Sequence, residues 1–190
     1  MTELIEGILK KTGGKDRSIR WFREKVKELG EIQPQTLIRE GMVTTRPTFG
    51  TMNFFMYSPK NKDNVDILPY YDRFPLVMPI EQYNNGFLGL NFHYLSIPMR
   101  LKLLNIISEY ASNDKLDETT RIRLTWNRVK RNPIVKPTVK RYLADHVRTA
   151  FRRINADEMM VAVLLPVQRF VRATETKVYA DSRMSANRRG

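Results

Sequence analysis

The chain has 190 residues, 42% of them hydrophobic, with 33 Lys/Arg against 20 Asp/Glu and a formal net charge of +13. That length and apolar fraction allow one packed domain with a small appendage and argue against wholesale disorder. The absence of Cys excludes a disulfide scaffold, Cys-ligated zinc and thiol catalysis.

In chain order, residues 2–11 read as a short helix, with Leu4, Ile5, Ile8 and Leu9 on one side, ended by Gly13-Gly14. The start of the chain, MTELIEGILKK, lacks the long apolar run of a signal peptide, and no membrane-spanning run follows. A second helix is expected from Ser18 to Leu29, capped by Asp16 and closed by Gly30, with Ile19, Phe22, Val26 and Leu29 as its stripe. Together residues 1–40 are expected to form an N-terminal helical segment.

From Gly41 to Leu95 the pattern shifts to period two. Thr51–Tyr57 reads as a strand apolar on both faces. A Pro- and Asp-rich loop leads to a second strand at Phe74–Tyr83, placed at an edge or bulged because Pro75 and Pro79 cannot donate ladder bonds. Asn84-Asn85-Gly86 signals a hairpin into a third strand, Phe87–Leu95. Ser96 and Pro98 open a helix over 97–111 carrying Leu103, Ile106, Ile107 and Tyr110.

Past the polar break SNDKLDETT, a basic helix is expected at 117–131, stopped by Asn132-Pro133, then an extended connector to Pro137. Residues 138–153 read as the best amphipathic helix in the chain. Leu143, Val147, Ala150, Phe151 and Ile154 share one side, opposite Arg141, Arg148 and Arg152. Met159–Leu165 reads as a strand closing the sheet, 167–183 as a last helix, and 184–190 as a flexible tail. The fold class is α+β: a single domain over 41–183, built on a small antiparallel SH3-like barrel or bent sheet with flanking and C-terminal basic helices over 117–153.

The charge is uneven. Residues 121–190 carry 17 Lys/Arg against 5 Asp/Glu, while residues 1–120 are nearly balanced at 16 against 15. The block 121–153 holds 11 basic residues and one acid, Asp145. A solvated face mixes signs, so such a block repels itself unless a polyanion neutralises it. The candidate phosphate contacts are Arg121, Arg123, Arg128, Lys130, Arg131, Lys136, Lys140, Arg141, Arg148, Arg152 and Arg153. Eight of the eleven are Arg, whose planar fork suits phosphate. DNA, RNA or an acidic protein surface could each supply the negative charge. No helix-turn-helix, zinc-finger or RNP-like pattern is present, which favours backbone contacts without base readout.

Enzyme motifs are absent: no HExxH, GxSxG or Walker loop. His93 reads as a packed or hydrogen-bonded strand residue rather than a base, and His146 likewise belongs to its element. Asp63, Asp66, Asp72 and Glu81 are the carboxylates nearest to a metal-site grouping, but their spacing is not that of a nuclease. No cofactor, metal or catalytic residue is expected.

The stretch LPYYDRFPLVMPIEQYNNGFLGLNFHYLSIPMRLKLL, residues 68–104, resembles the DNA end-protector proteins of large T-even-like tailed bacteriophages. So do KRYLADHVRTAFRRINADEMMVAVLLPVQRFVRA and VYADSR, and the resemblance extends over about residues 45–183. It implies a minor virion protein on the packaged genome end, shielding it from host exonuclease in the host cytoplasm after injection. It carries over no catalytic residues; Asp72-Arg73-Phe74-Pro75 and Asn91-Phe92-His93-Tyr94 are matches of the fold. Two competing readings are a tail, neck or baseplate component docking an acidic phage protein, and, by fold analogy alone, a nuclease.

Overall fold

The computed structural model describes residues 42–60, 68–111, 126–154 and 158–187. Both N-terminal helices, Asp63, Asp66 and most of the 117–131 helix lie outside these residues. Eight strands and three helices organise the rest: β1 (Met42–Thr44), β2 (Met52–Phe54), β3 (Tyr71–Asp72), β4 (Leu76–Tyr83), β5 (Gly86–Asn91), α1 (Ile97–Ala111), β6 (Val139–Leu143), β7 (Phe151–Ile154), α2 (Met159–Leu164), β8 (Phe170–Val171) and α3 (Glu175–Asn187).

Six strands form one antiparallel sheet in the order β1-β7-β2-β4-β5-β6, and β3 pairs with β8 separately. The sheet curls without closing: β1 and β6 remain at its two ends, so the expected closed barrel is not formed. The curl is visible in the rings on the concave face. Phe87 of β5 lies 5.9 Å from Phe151 of β7, although β4 and β2 separate their strands. Tyr142 lies 5.3 Å from Phe55 and 4.9 Å from Tyr57. Flat strands about 4.8 Å apart would hold these side chains well beyond contact.

The β4–β5 hairpin forms where Asn84-Asn85-Gly86 predicts it, with Gly86 at φ +155°. A Cβ on Gly86 would collide with the Tyr142 carbonyl of neighbouring β6, so the close strand approach requires glycine there. β4 is bulged between Pro79 and Glu81, yet it is an inner strand between β2 and β5. The missing Pro N–H is thus accommodated by the bulge rather than by an edge.

The second core lies on the opposite face. Met52, Phe54, Leu76, Met78, Leu90 and Ile154 pack there beneath Leu101, Leu104 and Ile107 of α1, and beneath α2. Every residue of α2 is buried. The strand expected at 159–165 is therefore a correction: it is a six-residue helix. A short apolar run fits a buried helix and a buried strand equally. Leu165 before Pro166 is driven to an extended conformation, which ends the helix.

The largest correction falls on residues 138–153. They form β6, a short turn and β7, not an amphipathic helix. Thr, Val, Tyr and Phe favour strands. The apparent helical stripe arose because Leu143, Val147, Phe151 and Ile154 keep a spacing near 3.6 across two strands and their link. The connector at 133–137 is turned rather than extended and leads into a single 3-10 turn at Lys136–Thr138. Residues 126–129 are helical, while the expected 167–183 helix starts only at Glu175 and runs on to Asn187, into the expected tail.

Candidate polyanion-binding surface

Placing the basic residues on strands scatters them. β6 sets Arg141 and Lys140 on opposite faces, opposite Leu88 and Gly89 of β5. β7 does the same with Arg152, opposite Phe54, and Arg153, opposite Asn53. The helix expected to align Arg141, Arg148 and Arg152 is therefore not formed; two strands and their link carry them. Arg152 and Arg153 are half-buried, and the Nε of Arg153 is buried without a hydrogen-bond partner.

Lys140 is turned onto an aromatic ring. Its ammonium lies 4.0 Å from the centroid of the Tyr94 ring, and burial pushes its pKa down to about 8. Arg128, Lys130, Arg131 and Lys136, in contrast, are exposed. Their segment is anchored by buried Val129, Ile134 and Val135, leaving the cations outward. Arg121 and Arg123 lie outside the described residues.

A groove of about 900 Å³ opens at the hairpin end of the concave face. Its walls come from three separate stretches: the loop after β1, the β4–β5 hairpin and the β6–β7 link. Phe87 and Phe151 form the deep apolar part, and Phe49 and Tyr83 are the more exposed rings. One arginine lines it, and two more lie on adjoining stretches without lining it. Arg46 lines it directly. Arg141 sits 5.0 Å from the Tyr83 centroid and donates to the Asn85 side-chain oxygen at 2.9 Å. Arg148, between the lining residues Val147 and Thr149, donates to the Ser58 carbonyl at 3.3 Å. Two exposed acids adjoin it, Asp145 beside Ala144 and Glu81 beside Gln82, but neither lines it.

Buried polar groups elsewhere hold the fold. Asp72 accepts from the backbone N–H of Phe74 (3.1 Å) and Arg169 (3.0 Å) and from His93 Nδ1 (2.7 Å), with Asn91 at 3.5 Å. Burial alone would raise the Asp72 pKa, but His93 and the two N–H donors outweigh it and hold it below the usual carboxylate range. Burial holds His93 below its ordinary value, against the attraction of Asp72. The pair is an aspartate accepting from a neutral imidazole, whose Nε2 is buried with no partner. Fully buried Arg100 donates to the carbonyls of Leu95 and Leu165, to Gln168 Oε1 and to the Tyr179 hydroxyl. Asp72 supports its charge from a distance. No group of three or more His, Cys, Asp or Glu able to hold a metal occurs among the described residues.

Two functional or structural cations were missed in the sequence. Arg46 lies in the charge-balanced half, where no block marks it. Arg100 did carry a signal: it stands at i with Leu103, Leu104 and Ile107 at i+3, i+4 and i+7, so it lies on the apolar stripe of α1.

No helix among the described residues is long and apolar enough to cross a membrane. No curated protein and no solved structure matches the chain. Family comparison matches residues 6–188 to the phage T4 terminal DNA protecting protein family. With nearly its whole length matched, the chain belongs to that bacteriophage DNA end-protecting family.

Proposed function

We propose that this protein is a non-catalytic virion protein that binds the end of duplex DNA without reading its sequence and shields it from exonuclease. The observation that carries the reading is the basic block of 121–153, 11 cations to one acid, on a chain of the DNA-protecting family. Sequence-independent binding is phosphate binding, and a surplus of outward Arg and Lys is what that demands. Arg128, Lys130, Arg131, Lys136, Arg141 and Arg148 are the exposed members that would meet phosphates, joined by Arg121 and Arg123 and by Arg46 from outside the block. Lys140 takes no part, because its ammonium is turned onto Tyr94.

A salt titration with two unrelated duplex sequences tests this. If about six phosphates are neutralised, log K falls with log[salt] at a slope of about −5 for both sequences. Absence of binding at low salt would overturn the reading and favour an acidic protein neighbour in the tail, neck or baseplate. Cleavage of either duplex would overturn the non-catalytic assignment.

A further inference from the structure

We propose that the groove between Arg46, Phe49 and Tyr83 receives the frayed terminal nucleotide of a DNA end, giving the protein its preference for ends over duplex interior. The inference rests on the DNA-binding reading above and deepens it.

Phosphate contacts cannot by themselves distinguish an end, because every position along a duplex offers the same backbone. An end adds only two things: a base with one stacking face open, which frays at low cost, and a strand terminus. A site for an end therefore needs ring faces at a cavity and a cation beside them. The groove has both. Half-buried Phe49 and Tyr83 line its outer part, and buried Phe87 and Phe151 its inner part. Arg46 lines it; Arg141 and Arg148 lie on adjoining stretches without lining it, Arg141 on the sheet face of Leu88 rather than that of Phe87. Arg141 is held by Asn85 and the Tyr83 ring at the hairpin edge, within reach of a DNA strand that continues past the groove. The volume, about 900 Å³, is in the range that encloses a small organic molecule and admits one nucleotide, but not a duplex. No acid among the described residues lines it, which lessens the repulsion against an entering phosphate. Asn84 offers an amide that can bond to any base edge, while Gln82, whose amide nitrogen donates to the Tyr83 and Gly86 carbonyls, offers its oxygen as an acceptor.

The test compares a blunt duplex with a dumbbell of the same length whose ends are closed by hairpin loops. The full-length protein is expected to bind the blunt form about tenfold more tightly, the scale of one stacked base. A 2-aminopurine at the terminal position, on either strand in turn, should change fluorescence on binding, while one at the centre should not. Arg46→Gln, an exposed change, and Phe49→Ala should each bring the two affinities to within about twofold while dumbbell binding is retained. Equal binding of the two forms by the unaltered protein would overturn the groove assignment while leaving the DNA-binding reading intact. Retention of end preference in folded Arg46→Gln and Phe49→Ala would do the same. Failure to bind either form would overturn both.

Discussion

Asp72, His93 and Arg100 on one side and Arg46, Arg141 and Arg148 on the other are the same kinds of side chain put to opposite uses. The first set is withdrawn from water, and between them its members tie β3, the end of β5, the start of α1 and the 165–169 stretch together. The second set stands at the solvent and bonds to neutral oxygens of Asn85 and Ser58 where bonds are made. A buried charge costs several kcal/mol unless satisfied, so its partners are part of the fold. An exposed charge contributes little to stability and stays available to a ligand. On the proposed reading, charge content points to a polyanion, and burial divides the charges that could meet it from those that hold the fold.

That contrast can be broken at either end. The largest effect is expected from a charge without partners in the apolar core. Leu90→Asp, at a residue 1% exposed beneath α1 and α2, should cost about 4 kcal/mol or more and leave the protein largely unfolded by circular dichroism.

Next come changes in the buried network. Asp72→Asn and Arg100→Met should each cost about 2–4 kcal/mol in urea unfolding, because they strand buried donors or carbonyls. The network also fixes a pH dependence. His93 is held below its ordinary 6.5, so between that value and its folded value the unfolded chain binds more protons, and stability falls as pH drops. Asp72 is held below 3.8, and its contribution, present above that value, is lost on further acidification. His93→Gln should remove the upper limb of this profile and also weaken the lower one, because His93 leads the groups that hold Asp72 down. A profile flat from pH 7 to 4 would show that the pair is not protonated as assigned.

At the solvent end, Arg46→Gln, Arg141→Gln and Arg148→Gln combined should leave urea unfolding within about 0.5 kcal/mol of the original. DNA affinity should drop about tenfold or more, with a salt slope shallower by about 2–3. A large loss of stability would show that these arginines belong with the first set.

The smallest effect separates Lys140 from its neighbours. Burial lowers its pKa from 10.5 to about 8, so the folded state holds its charge at a cost that is fully present below pH 8 and relieved as pH rises towards 10.5. Lys140→Met should raise stability at pH 7 by about 1 kcal/mol, with the gain shrinking above pH 8, and should change DNA affinity less than twofold.

The sequence made part of this legible. The hairpin at Asn84-Asn85-Gly86 and the helix opened by Pro98 rest on local backbone chemistry, which needs no tertiary context. Residues 138–153 and 159–165 were misread because hydrophobic spacing alone decided between helix and strand. In the first, residues from two strands mimicked a helical stripe; in the second, an all-apolar run carried no period. The charge block was plain in the sequence, but its partition was not. Adjacent residues such as Lys140 and Arg141, or Arg152 and Arg153, separate onto opposite faces only because the segment is a strand. The groove joins Arg46 to residues about forty and a hundred positions away, which no local pattern records.

On the proposed reading the protein shields a DNA end through its solvent-facing arginines. The most direct measurement is the rate at which a processive exonuclease degrades a linear duplex, at low salt, with the protein and with the combined Arg46, Arg141 and Arg148→Gln variant. Strong protection by the protein on unrelated end sequences, largely lost in the folded variant, is the expected result. Degradation at the same rate with and without protein, or undiminished protection by the variant, would contradict it.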